Sequence, residues 1–245
     1  QGNVSKALEY YHRSLKIQEE INFLNGAATS LNNIGFINYN QGEFTKALEY
    51  YNKSLNICKK INYKVGISRA LNNIGLVYNK QGKIDIALEY YRESLKIEEE
   101  IMNKSGIAVC ISNLAYAYGM QGDKSRSLEM YREALKIFEE INDKEGIAES
   151  LNNNASIMII MGQFDEALPY AERGLLLSKE LGFPENIRNA SEALKKIYKK
   201  QGKNKKAYEM YELFIQMRDS INSVATRKST FKKQFQIEYE REAIK

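Results

Sequence analysis

Tryptophan is absent from the 245-residue sequence, and histidine (one), cysteine (two) and proline (two) are nearly so. The solitary histidine, His12, sits on a variable helix position with no other imidazole to join it, so neither a catalytic triad nor a histidine metal site can be assembled. Cys58 and Cys110 form no metal-spaced pair and occupy unrelated places in the pattern, which excludes a disulfide framework and leaves both as packing or surface residues. The scarcity of proline, set against abundant Ala, Leu, Glu and Lys, favours helix over strand. No apolar run approaches the roughly 20 residues that a membrane span needs, and no signal-peptide pattern is visible. Walker loops, dinucleotide fingerprints and zincin motifs are missing too. The densest carboxylate runs are Glu98-Glu99-Glu100 and Glu139-Glu140, whose members point to different sides of a helix and read as a solvated face. An enzyme is therefore not expected, and no cofactor or metal is called for.

What the sequence does have is a period. The stretch Leu71-Asn72-Asn73-Ile74-Gly75, closing on Gln81-Gly82, returns forty residues earlier as Leu31-Asn32-Asn33-Ile34-Gly35 with Gln41-Gly42. Forty residues later it reads Ile111-Ser112-Asn113-Leu114-Ala115 with Gln121-Gly122, and then Leu151-Asn152-Asn153-Asn154-Ala155 with Met161-Gly162. A degraded copy ends at Tyr198 and Gln201-Gly202. Self-similarity at a fixed period marks stacked repeats, in which each unit buries its apolar face only against its neighbours.

Each unit holds two helical stripes. Leu71, Ile74, Gly75 and Tyr78 are spaced i, i+3, i+4, i+7, a first helix. Ala87, Leu88, Tyr91, Leu95 and Ile101 recur in phase as Ala47, Leu48, Tyr51, Leu55 and Ile61, a second helix. Gly42, Gly82, Gly122, Gly162 and Gly202 stop the first helices, because glycine accepts a left-handed backbone cheaply. Asn22, Asn62, Asn142 and Gly182 stop the second ones, and Pro169 should distort its helix without breaking it. Gly35, Gly75, Ala115 and Ala155 are expected to face Ala47, Ala87, Ser127 and Ala167, small against small, drawing paired helices together.

The column set Leu71, Ile74-Gly75, Tyr78, Gly82, Ala87, Tyr91, Ser94 resembles the tetratricopeptide repeat, and recurs in phase over roughly residues 1–221. The resemblance implies an all-α fold: a right-handed α-solenoid of stacked antiparallel helix pairs. The ordinary repeat is about 34 residues long, so the six extra ones lengthen the helices by about 9 Å. Long repeats of this kind are similar to those of kinesin light chains, Pins-type polarity adaptors and bacterial signalling proteins. The array should span residues 1–222, as a half repeat (1–25) and repeats near 26–65, 66–105, 106–145, 146–185 and 186–222. The last departs from the pattern by placing Lys195 in the small column. Residues 223–245 carry Phe231, Phe235 and Tyr239 at i, i+4, i+8 and read as a separate capping or connector helix. Because the sequence opens inside a repeat, it is expected to be a fragment whose first helix has an uncovered apolar face.

In this family the first helices line the concave surface and bind peptides. The resemblance thus implies that Asn33, Asn73, Asn113 and Asn153, with Asn32, Asn72 and Asn152 beside them, contact a ligand. An amide offers both donor and acceptor, so a row of them could track an extended backbone without demanding one side chain. The alternative is that these amides bridge adjacent hairpins. Arg69, Tyr116 and Glu149 fall on the same expected inner face, with Lys199 and Lys200 closing its C-terminal end.

Charge is uneven: residues 1–194 hold 22 Lys/Arg and 25 Asp/Glu, whereas residues 195–245 hold 14 and 6. The basic end could face nucleic acid, an anionic membrane or an acidic partner, or simply solvate the end of the stack. Nucleic acid is not expected, because stacking aromatics interleaved with the lysines are lacking apart from Tyr198. The expected function is a non-catalytic scaffold for a protein or peptide ligand. The alternative is the sensor or regulatory module of a bacterial signalling protein (histidine kinase, cyclase or transcription regulator) whose output domain, and any membrane link, lie outside this sequence. The compartment is left open, and the apolar stripes of the terminal helices suggest a homodimer.

Overall fold

Eleven helices and no strand make up the described residues of the computed structural model, 4–243, with side chains described for 6–223. They are α1 (Val4–Glu20), α2 (Leu24–Asn40), α3 (Phe44–Lys60), α4 (Lys64–Lys80), α5 (Ile84–Glu100) and α6 (Lys104–Gln121). After these come α7 (Lys124–Glu140), α8 (Lys144–Ile160), α9 (Phe164–Leu181), α10 (Pro184–Lys200) and α11 (Asn204–Ala243). Most are 17 residues long, about 26 Å at 1.5 Å per residue. The even-numbered helices are the first helices of the repeats, and α1 is the half repeat.

The turns are only two or three residues long because the helices from α1 to α10 close in a Schellman arrangement. At the end of α4, Gly82 N–H donates to Asn79 O and Lys83 N–H to Tyr78 O, with Gly82 at φ +75°. Asn22, Asn62 and Asn142 take the same left-handed conformation at the ends of second helices, near φ +54°. Met102 does so as well, at φ +54° and 84% exposed, although nothing in a methionine favours it. Pro169 leaves α9 unbroken.

Two compact units divide the chain: residues 1–103 with 225–245, and residues 104–224. In the first, α1 packs on α2, α2 on α3, α3 on α4 and α4 on α5; in the second, α6 to α10 pack in the same sequential way. Within each unit the helices from α1 to α5 and from α6 to α10 therefore lie beside their chain neighbours, and each core is a succession of local interfaces between antiparallel helices, an all-α arrangement of helix pairs. Ala47, Tyr51, Leu55, Leu71, Ile74 and Val77 form the core of the first unit. Leu128, Tyr131, Ala155, Ala171, Leu194 and Ile197 belong to that of the second. Exposed ion pairs Lys64–Glu100 (3.2 Å), Lys104–Glu140 (3.1 Å) and Lys144–Glu180 (2.6 Å) join the start to the end of the α4–α5, α6–α7 and α8–α9 hairpins. Exposure limits each to about 0–1 kcal/mol.

Several expectations need correcting. At Gly35 and Gly75 the small column meets a tyrosine ring before it meets the alanine of the paired helix. A Cβ on Gly75 would stand 2.6 and 2.8 Å from Tyr91 ring carbons, and one on Gly35 would stand 2.7 Å from those of Tyr51. A whole ring fills the space a side chain would need, and it is Gly119 that lies against Ser127. In the last repeat Lys195 stands where those glycines do, and the ring is displaced: Tyr211 is 45% exposed, with the Lys195 ammonium 5.5 Å from its centre. Nor is Glu98 solvated. It is 6% exposed, accepting from the Ser68 hydroxyl at 2.5 Å and the Asn103 amide at 2.7 Å. Residues 223–245 do not start a separate helix, since α11 continues through Ala243 and no glycine or proline interrupts it. Phe231, Phe235 and Tyr239 lie outside the residues whose side chains are described.

The column containing Glu98 differs in every second helix. Gln18 accepts from Ser30 at 2.8 Å, Cys58 is buried beside Gly66, Phe138 packs on Gly146, and Ser178 donates to Gly174 O at 2.7 Å.

Candidate functional site

The first helices draw together while the second helices spread. Contacts join α2 to α4 in the first unit, and α6 to α8 and α8 to α10 in the second; among the described residues none joins α3 to α5 or α7 to α9. Within each unit the first helices therefore form the inner side. Each shows solvent one stripe, at i, i+4, i+7 and i+11, set by the helical repeat. On α4 the stripe is Arg69, Asn73, Leu76 and Lys80; on α6 it is Val109, Asn113, Tyr116 and Met120. On α8 it is Glu149, Asn153, Ser156 and Ile160.

Asn33, Asn73, Asn113 and Asn153 are each half-buried on this inner side, and Arg69 and Tyr116 are exposed beside them. The amides are not idle. Asn73 Nδ2 donates to Asn32 Oδ1 at 3.1 Å, tying α4 to α2, and Asn152 Nδ2 donates to Asn186 O at 3.1 Å, tying α8 to α10. Asn72 and Asn113 are partnered as well. Asn73 and Asn152 thus bridge neighbouring first helices, the role raised above as the alternative. Asn33 differs in lining an open groove of about 480 Å³ with Tyr11, Ser14, Gln18, Thr29 and Tyr63. Lys199 and Lys200 are exposed at the end of α10.

The stripe also holds residues that the asparagine pattern did not point to. Phe36 is 49% exposed, Met120 58% and Ile160 61%, all on first helices. They occupy the same forty-residue columns as Tyr116 and Lys80, so the period itself could have found them. Although Glu149 as a residue remains exposed, partial desolvation of its carboxyl, together with the nearby Glu145 and Asp143 charges, pushes it above its usual range. Elsewhere burial pushes the Tyr198 hydroxyl, which donates to Glu172 at 2.7 Å, up to about 12.

Among the described residues no cluster of His, Cys, Asp and Glu could hold a metal ion, and no helix is long and apolar enough to cross a membrane. The inner stripes offer apolar surface, amides and single charges; they do not bring a nucleophile to a base.

A sequence profile of the tetratricopeptide repeat matches residues 1–60 and 66–140. No curated protein sequence matches the chain. Among solved structures, the chain is similar to BtubC (BKLC) from P. vanneervenii, with a TM-score of 0.75 and 19% identity, over 91% of this chain and 93% of that one. It is also similar to a Rap protein complexed with competence and sporulation factor, with a TM-score of 0.70 and 14% identity, over 90% and 72% of the two chains. Aspartyl phosphate phosphatase F from Bacillus subtilis aligns with a TM-score of 0.62 and 13% identity, over 88% and 70%. At such identities the likeness is one of fold.

Proposed function

Because the chain belongs to the tetratricopeptide repeat family, we propose that it is a non-catalytic protein-interaction scaffold, holding a peptide or helical segment of a partner against the inner stripes of its first helices. The observation that carries this reading is the exposure of large apolar side chains on that side: Phe36 in the first unit, and Tyr116, Met120 and Ile160 in the second. Such groups supply association energy, and amides and charges around them fix register. A similarly folded Rap protein holding competence and sporulation factor agrees with a ligand-binding role for this architecture. Of the asparagines, Asn33 and Asn153 are the ones we assign to the ligand first. Asn73 ties α4 to α2 and comes after them, as do Asn113 and Asn72, while Arg69 and Tyr116 flank the track.

A photo-crosslinking amino acid placed at position 116, on α6, should capture a discrete partner in the native cell, whereas one at Lys136, on the far side of α7, should not. Capture from position 136 alone would remove the reading.

The second reading, a sensor or regulatory module of a bacterial signalling protein, is favoured by α11, which runs unbroken for 40 residues beyond the last repeat turn. A helix of that kind can carry a signal to another part of a longer protein. Finding a kinase, cyclase or DNA-binding region in the same reading frame would decide for it. Self-association through α1 and the turn after it, where Tyr10, Ile17 and Ile21 are exposed, is tested by light scattering over a concentration series; a monomer throughout removes it.

A further inference from the structure

We infer that the inner side of the second unit selects segments that join bulky apolar side chains to a run of carboxylates. This rests on the scaffold reading above and names the chemistry of its ligand.

Two stripe columns cross α6, α8 and α10 in register: Tyr116–Ser156–Lys196, and Met120–Ile160–Lys200. Since α6 contacts α8 and α8 contacts α10, successive members of a column stand on neighbouring helices. The face therefore changes character along one direction, from Tyr116, Met120 and Ile160, all more than 45% exposed, to the two lysines of α10. Those lysines are not committed elsewhere. Lys196 meets only Glu192 in an exposed i, i+4 pair at 3.0 Å, weak enough for a ligand carboxylate to displace. The Lys200 ammonium stands 5.9 Å from the centre of the Phe164 ring. Around them, residues 184–210 hold eight Lys/Arg and three Asp/Glu, so the field at this end is positive.

The third column supplies the repulsive element. Val109–Glu149–Asn189 sets a carboxylate on α8, about 10 Å along the helix from the Ser156 column. A ligand acid laid over α8 would meet Glu149, while one displaced to α10 would meet Lys196 and Lys200. Register is thus set by rejection as well as attraction. A basic segment would gain at Glu149 and lose at the lysines, which is the opposite preference.

The test is selection of a display library of random dodecapeptides on the full chain, followed by Kd measurement for the enriched peptides. The inference expects enrichment of aromatic or aliphatic residues together with Asp and Glu. It also expects about tenfold weaker binding to the variant Lys196→Glu/Lys200→Glu, a loss that shrinks at high salt. Peptides that lose affinity for Tyr116→Ala/Met120→Ala, yet show no excess of Asp or Glu and ignore the lysine reversal, would overturn this inference and leave the scaffold reading standing. Failure to enrich any peptide, or binding indifferent to both double variants, would overturn both. Far-UV circular dichroism of each variant confirms that the helices are intact.

Discussion

Gly75→Ala sets two effects of opposite sign against each other. Within a helix, alanine is better than glycine by about 1 kcal/mol, so propensity alone predicts stabilisation. Packing predicts the reverse. The new Cβ would stand 2.6 Å from Cε1 and 2.8 Å from Cδ1 of Tyr91, where carbon contacts settle near 3.5–4.0 Å. The ring must retreat by about an ångström, and Tyr91 is fully buried, so its neighbours must move too. Overpacking of this kind costs about 1–3 kcal/mol. Packing wins, with a net loss of about 1 kcal/mol, or roughly 2–4 °C in Tm for a chain of this size. Repeat arrays need not unfold in one step, so hydrogen exchange in α4 and α5 should be followed beside the thermal melt. The decisive experiment repeats the substitution in a Tyr91→Ala background. With the ring gone only propensity remains, and Gly75→Ala should become stabilising. A gain in stability in the wild-type background, or the same sign in both, would refute the reasoning.

Met102→Asn should raise stability by about 1 kcal/mol, because the left-handed backbone costs a methionine roughly that much and asparagine tolerates it; an unchanged Tm would count against strain there. Asn154 fills a column held elsewhere by Ile34, Ile74, Leu114 and Leu194, is fully buried, and leaves its Oδ1 without a partner. Asn154→Leu should therefore stabilise by about 1–2 kcal/mol in a urea melt, despite losing bonds to the Tyr131 and Ser150 carbonyls. Glu149, raised in the folded chain, favours folding when protonated, so its contribution is present at low pH and lost as pH rises through its folded pKa. Glu149→Gln should accordingly stabilise at pH 7, and the advantage should vanish below the ordinary carboxylate range; a pH-independent difference would exclude the desolvation account.

The fold was legible because glycine and apolar columns repeat in phase, and because backbone geometry at the helix ends is a local property. Met102 escaped notice since the turn is imposed by the Schellman bonds on both sides, whatever residue stands there. Glu98 was misread because a glutamate in a run of three gives no sign that Ser68, thirty residues away, turns a hydroxyl toward it. The inner side was legible in its asparagines, but not in their use. Whether Asn73 reaches a ligand or Asn32 depends on the spacing of neighbouring first helices, which only the packed structure reveals. Lys195 was flagged by its column, yet the displaced Tyr211 ring that accommodates it was not.

A chain built from near-copies runs the hazard of pairing one copy with the wrong mate, forty residues out of step. The mismatched column of second helices works against that error. Moved along by one place, Phe138 would confront the Ser68 hydroxyl, and Glu98 would be set beside Gly146 with the Asn103 amide that travels with it but without the hydroxyl of Ser68. Each junction thus carries its own password, and assembly in the proper sequence is enforced from inside the stack.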